Sequence, residues 1–205
     1  MVTRGIFVRL EAKQGMDLET EGFLHSAQGL AKAESSTPAW FAIRFGRSDY
    51  GIFDAFPDDA SRSAHLDGPV AKALMQQTEN LFIDKPRIQM LDVLASKLPS
   101  TVPTGPATKG LLLRFKAKPG NEQKVEQFLR QAQTIVMEEP RTIAWFAFRM
   151  EDGDYGIFDV FPDNGARFAH LTGHVPRELA KHSFLLLGGM PDIDMLNVLE
   201  EKLVR

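Results

Sequence analysis

Three residue types that can do chemistry recur together in this chain at a fixed spacing. His65, Arg44 and Asp54 return 105 positions later as His170, Arg149 and Asp159. Around them stand Trp40, Tyr50, Phe53 and Phe56, repeated as Trp145, Tyr155, Phe158 and Phe161. An unperturbed imidazole titrates near pH ~6.5, so His65 and His170 are the side chains best suited to move a proton near neutrality. The bland reading of each is a histidine that caps or packs at a helix end. Arg44, Arg149, Asp54 and Asp159 interrupt apolar strands, where a charge is rarely buried without a partner. Either each arginine bridges the aspartate of its own repeat, or Arg44 holds a substrate oxyanion while Asp54 orients His65. Strict alternation puts Trp40, Ala42 and Arg44 on one face of a strand and Tyr50, Ile52, Asp54 and Phe56 on one face of the next. The hairpin register decides whether those faces coincide. The aromatics either wall a cavity and stack on a planar ligand or fill an ordinary core. His25, His174 and His182 have no counterpart in the other copy and read as surface residues.

The recurrence extends well beyond these residues. Trp40-Phe41-Ala42-Ile43-Arg44 matches Trp145-Phe146-Ala147-Phe148-Arg149, and Tyr50-Gly51-Ile52-Phe53-Asp54 matches Tyr155-Gly156-Ile157-Phe158-Asp159 without insertion or deletion. A period this long, in two copies, means two complete small domains in one chain and not a solenoid. The expected division is a first domain over 1–98, a linker over 99–107 rich in proline and small polar residues, and a second domain over 108–205.

Composition narrows the function classes. The net charge of -3 and the lack of a basic stripe argue against a nucleic-acid partner. With no cysteine, disulfides, thiolate catalysis and cysteine-ligated metals are excluded. No apolar run approaches membrane-spanning length and the N-terminus lacks a signal-peptide core, so no membrane is expected and the expected location is the cytoplasm. No metal is expected either. His170 and His174 have an i, i+4 spacing, but Gly173 lies between them, no carboxylate set accompanies them, and Pro69 replaces the second histidine in the other copy. Gly188-Gly189 precedes Met190-Pro191 and not a phosphate-cradling helix.

Each half reads as strand, helix, strand, strand, helix, strand. The first strands are 5–10 and 110–115. In the second copy Val125, Phe128, Leu129, Ala132, Ile135 and Val136 form one helical stripe, matched by Thr20, Phe23, Leu24, Ala27, Leu30 and Ala31. The central strands, about 38–46 and 50–57, are joined by a short hairpin. A second helix starts at Asp58 or Asp163 and is kinked or split near Gly68-Pro69 or Gly173. The last strands, 88–94 and 193–199, complete an α+β, split β-α-β-β-α-β unit of ferredoxin-like plan. Helices on one sheet face leave the other bare, so the two repeats are expected to pack sheet to sheet around a shared interior, with any cavity there.

The runs Trp-Phe-Ala-x-Arg, Tyr-Gly-Ile-Phe-Asp-x-Phe-Pro-Asp and Arg-x-Ala-His-Leu-x-Gly resemble the antibiotic-biosynthesis-monooxygenase-like branch of the dimeric α/β-barrel superfamily, over about residues 3–98 and 108–203. Members are usually single domains that dimerise through their sheets, so the chain resembles a fused dimer; its own assembly stays open, a homodimer of the fused pair being one option. The resemblance implies a cofactor-independent monooxygenase for a small aromatic or quinol-like substrate, although many relatives have no demonstrated reaction. Such chemistry needs a dry aromatic cavity, a proton acceptor and a hydrogen-bonding or cationic partner for the developing anion. The family's second helix often carries a histidine near the cavity mouth, which maps to His65 and His170. Relatives on this fold also bind or degrade haem, and either histidine could be axial, but the Asn, Trp and His arrangement of that branch is not apparent. Two other readings stand beside the enzyme: a non-catalytic protein binding a small apolar metabolite, and a structural module with a filled sheet interface. Residues 78–85 are polar where 183–190 are apolar, so the halves need not be equivalent.

Overall fold

The description rests on a computed structural model and covers residues 1–99, 105–174, 177–178, 181 and 185–203. The linker expected over 99–107 lies largely outside these residues, as do His182 and part of the 183–190 segment.

Along the chain the elements are β1 (Arg4–Glu11), α1 (Asp17–Ala33), β2 (Ala39–Gly46), β3 (Asp49–Phe56), α2 (Asp59–Leu66), α3 (Pro69–Leu81) and β4 (Arg87–Lys97), then β5 (Lys109–Phe115), α4 (Glu122–Met137), β6 (Ala144–Met150), β7 (Tyr155–Phe161), α5 (Asn164–Leu171) and β8 (Asp192–Leu203). The interruption expected at Gly68-Pro69 separates two helices. Asp58 caps α2 by accepting from the Ser61 amide at 2.8 Å, and Pro69 opens α3, where a missing N–H leaves no helical bond unmade. Asp163 caps α5 in the same way through the Ala166 amide at 2.8 Å.

The chain divides into two compact units. One comprises Met1–Leu91 with Leu196–Arg205, the other Asp92–Met195. The boundaries fall inside β4 and β8, so each of these strands serves both units. In the first unit β1 and β2 flank β3 antiparallel, and the C-terminal half of β8 pairs with β2 from Ala39 opposite Leu203 to Arg44 opposite Asn197. In the second unit β5 and β6 flank β7 in the same register. β4 and β8 run to Lys97 and Leu203, past the ends expected from the apolar runs, because these extensions are half-buried and their polar residues hide the strand pattern.

Over the described residues the first helix and the sheet of each unit bury matching positions. In the first unit the core joins Leu24, Ala27 and Ala31 of α1 and Val70 and Leu74 of α3 to Ile6, Val8, Trp40, Ala42, Tyr50, Ile52 and Phe56. In the second, Val125, Leu129, Ala132 and Val136 of α4 meet Leu111, Leu113, Trp145, Ala147, Tyr155, Ile157 and Phe161. The expected stripes are buried at i, i+4, i+7 spacing, while Leu30 falls at the margin and is exposed. Among the described residues no helix is long and apolar enough to cross a membrane.

Candidate active site

The hairpin register decides which side chains meet. Trp40 stands opposite Asp54, Ala42 opposite Ile52 and Arg44 opposite Tyr50, so the two alternating sets coincide on the side of the sheet that faces the helices. Trp145 likewise stands opposite Asp159, and Arg149 opposite Tyr155. Phe53 and Phe158 have the other parity; Phe53 pairs across the strands with Phe7 and Phe41, and Phe158 with Leu112 and Phe146. The eight aromatics expected to wall one cavity therefore do not share a face. Trp40, Tyr50, Phe56 and their counterparts belong to the helix-side cores, and Phe53 and Phe158 do not.

An Arg44–Asp54 or Arg149–Asp159 bridge is ruled out by the same register, which sets the two charges four residues apart along the sheet. Arg44 instead binds Glu21 at 2.7 Å, lies 3.7 Å from Asp17, and covers the ring of Tyr50. The Tyr50 hydroxyl donates to Asp17 at 2.8 Å, and burial beside that carboxylate pushes the phenol up. Arg149 binds Glu126 at 3.1 Å and Asp92 at 3.0 Å. Both arginines sit at the rim, away from the histidines.

His65 and Asp54 do come together. His65 lies on α2, its ring centroid 5.2 Å from that of Phe56, with Nε2 3.5 Å from Asp54 Oδ2. Its Nδ1 is 2.6 Å from Glu34 Oε2, and Glu34, the C-terminal cap of α1, also accepts from the Thr37 hydroxyl at 2.9 Å. In the second unit His170 Nδ1 is 2.6 Å from Glu139 Oε2, its Nε2 is 3.3 Å from Asp159 Oδ2, and the Thr142 hydroxyl donates to Glu139 at 2.7 Å. Each imidazole is thus held between two carboxylates, one in a short hydrogen bond and one in a looser ion-pair contact. Nδ1 of each ring is thus fixed by a short hydrogen bond, and Nε2 faces the buried aspartate.

The carboxyls behind them have the unusual proton affinities. Asp54 is 1% exposed and Asp159 wholly buried, and loss of hydration penalises their charged forms. Burial lifts Asp54 to about 7 against the opposing charge of His65, and lifts Asp159 in the same direction. His170 is pushed up to about 10: Asp159 and Glu139 favour its cation by more than burial opposes it. Glu139 is held below the ordinary carboxyl range despite burial, through hydrogen bonds from His170 and Thr142.

Two further polar atoms belong to each cluster. Trp40 Nε1 and Asp54 Oδ1 are both buried with no hydrogen-bond partner, and they occupy opposed positions of one register pair. Trp145 Nε1 and Asp159 Oδ1 repeat this. A buried indole N–H normally finds an acceptor, and leaving one unmade costs about 1–3 kcal/mol. The same unmet donor and acceptor recur at opposed register positions in both repeats. Among the described residues no group of three ligating side chains is arranged to hold a metal ion.

Glu34, Thr37 and Lys202, with Glu139, Thr142 and Lys97, escaped the residue-type reading. They lie outside the Trp-to-His run, yet each pair recurs at the same spacing as the histidines, which is the signal that finds them. The Lys202 ammonium, 5% exposed, donates to the carbonyls of Ala31, at 2.7 Å, and of Glu34. Lys97 donates to Val136 at 2.9 Å and Glu139 at 2.5 Å. His25 and His174 are exposed, as expected, and His25 pairs with Glu200 at 2.5 Å.

No family model and no curated protein matches the chain. Among solved structures it is similar to a candidate monooxygenase from Fusobacterium nucleatum, 14% identical, with a TM-score of 0.86 over 98% of this chain and 94% of that one. A ferredoxin-fold protein from Listeria monocytogenes, described as related to antibiotic biosynthesis monooxygenases, is 10% identical, with a TM-score of 0.56 over 97% and 95%. A protein of unknown function from Nitrosomonas europaea is 50% identical over 49% of this chain and 98% of its own, with a TM-score of 0.48. The α+β, ferredoxin-like repeats of this chain thus share the fold of these candidate monooxygenase and monooxygenase-related proteins.

Proposed function

We propose that the chain is a monooxygenase for a small aromatic or quinol-like compound, bound on the helix-facing side of each sheet, and that Asp54 and Asp159 accept the substrate's proton. The observation that carries this reading is the buried pair of an unsatisfied indole N–H and an unsatisfied carboxyl oxygen, present in both repeats. A phenol or enol fits such a pair: its O–H donates to the carboxylate and its oxygen accepts from Trp40 or Trp145. A carboxyl titrating near 7 is matched to proton abstraction at neutral pH. The His65 ring between Asp54 and Glu34 keeps the carboxyl oriented.

No flavin, metal or haem is required in this scheme, because the substrate supplies the electrons. Its anion passes one electron to dioxygen and the two radicals combine as a peroxide on a ring CH₂ carbon. Loss of water then leaves a carbonyl, with one oxygen atom in the product and the other in water. Structural neighbours described as a candidate monooxygenase and as a relative of antibiotic biosynthesis monooxygenases support the reaction class. The depth of the cluster favours a second reading, a binding protein that shelters such a compound without oxidising it: His65, Asp54 and Trp40 are each no more than 5% exposed.

Oxygen uptake by the metal-free protein over a panel of quinols and anthrone-like phenols separates the two. Turnover that disappears in the Asp54→Asn/Asp159→Asn double variant supports the enzyme. Absence of uptake with every compound, while compounds still raise the melting temperature, selects the binding protein.

A further inference from the structure

Lys202 belongs to the second repeat by sequence and to the first unit by packing; Lys97 belongs to the first repeat by sequence and to the second unit by packing. Each enters on the C-terminal extension of β8 or β4, and neighbouring bonds fix those extensions to the helix they cap. Gln28 Nε2 of α1 donates to the Glu201 carbonyl at 2.7 Å, and Gln133 Nε2 of α4 donates to Ser96 at 2.6 Å. The lysines meet carbonyls at the C-terminal ends of α1 and α4, where backbone acceptors lack helical partners and the helix dipole favours a cation. These bonds join into a chain of contacts in each unit. Lys202 holds the Glu34 backbone, the Glu34 carboxylate holds His65 Nδ1, and the other face of His65 meets Asp54. Lys97, Glu139, His170 and Asp159 repeat it.

We infer that Lys202 and Lys97 are positioning residues that the repeats exchange: the last strand of each repeat completes the buried carboxyl–imidazole cluster whose aspartate and histidine come from the other. The groups facing Asp54 are His65 from α2, Glu34 from the end of α1 and Lys202 from β8; without the lysine, Glu34 loses both its backbone anchor and the cation that balances it. The inference rests on the proposed reading of this cluster as the functional site, but its test needs no turnover.

The chain's two tryptophans lie one in each cluster, so each reports its own. In the full-length protein, Trp145→Phe leaves Trp40 as the probe and Trp40→Phe leaves Trp145. Fluorescence is titrated from pH 5 to 9 in each background with Lys97→Met or Lys202→Met. The expected pattern is crossed. Lys202→Met moves the Trp40 titration to higher pH and leaves Trp145 unchanged, whereas Lys97→Met alters Trp145 and leaves Trp40 unchanged. Lys→Arg at either position restores the titration, which a general loss of packing would not. Circular dichroism confirms folding, and Lys→Gln replaces any methionine variant that does not fold. A response confined to the tryptophan of the lysine's own repeat, or no response in either, overturns the inference. Oxygen uptake by the wild type with the crossed pattern absent would leave the enzyme standing and remove the exchange; the crossed pattern in a protein that takes up no oxygen would do the reverse.

Discussion

The two buried clusters use the same residues at the same spacing, while their surroundings have drifted apart. Inside, Trp, Asp, His, Glu, Thr and Lys match one for one, and the short His–Glu contact is 2.6 Å in both. Outside, Arg44 is held by carboxylates of α1, whereas Arg149 turns partly to Asp92 on β4. At one end of the first sheet Lys85 and Arg87 line a polar cleft of about 410 Å³; at the equivalent place Met190 and Asp192 line one of about 170 Å³. A solvated residue can change sign at little cost, but a buried ionisable group is tolerated only with its partners in place. The clusters therefore persist or fail as whole sets, while the rims are free to diverge.

The largest expected effects lie inside the clusters. If each unit is an independent site, Asp54→Asn and Asp159→Asn each remove one share of turnover, and together they lower kcat by about 100-fold or more, the usual scale for a lost general base. Steady-state oxygen uptake reads this, and a single variant as inactive as the double would show that the sites are not independent. Next come the glycines that let the strands approach. A Cβ on Gly51 would stand 2.8 Å from the Val8 carbonyl oxygen, and one on Gly156 only 2.4 Å from the buried Phe148 ring. Gly51→Ala and Gly156→Ala should each cost about 1–3 kcal/mol in chemical denaturation, the range for overpacking a core. An alanine tolerated at either position would contradict the register described.

The protons of the second cluster give a pH test. His170 carries a folded-state pKa of about 10, above the ordinary ~6.5 of an unfolded imidazole. Its contribution to stability is therefore complete below about pH 6.5 and is lost as pH rises toward 10. The melting temperature should fall across that window in the wild type and fall less in His170→Asn; equal slopes would contradict the charged imidazole. Arg44→Ala and Arg149→Ala, which break half-exposed pairs at the rim, should each cost less than about 1 kcal/mol and leave oxygen uptake within twofold. A large loss of uptake would return the arginines to the site. The smallest effect is expected from placing the second repeat's residues in the first, Lys85→Met with Arg87→Asp, which should leave the Trp40 titration unmoved.

Much of this was legible because the duplication prints its pattern twice. The alternating sets Trp40, Ala42, Arg44 and Tyr50, Ile52, Asp54, Phe56 were legible, as was the break at Gly68-Pro69, whereas the register that opposes Trp40 to Asp54 was not. What escaped was long-range. Glu34 and Lys202 are 168 positions apart, and their meeting depends on a strand leaving its own repeat, which no local periodicity encodes. The bridge expected between Arg44 and Asp54 failed for a similar reason: residue types suggested a pair, and the register opposed each charge to an aromatic residue. The raised proton affinity of Asp54 also escaped, because it follows from complete burial, which residue type does not reveal.

The most direct test of the central claim is to follow the side-chain carboxyl carbons of Asp54 and Asp159 by ¹³C NMR through pH 3–9 in the full-length protein, assigned with the two asparagine variants. A resonance for Asp54 that titrates near 7, with Asp159 also displaced above the ordinary carboxyl range, is the predicted result. Both carboxyls titrating below about pH 4, like solvated aspartates, would contradict it.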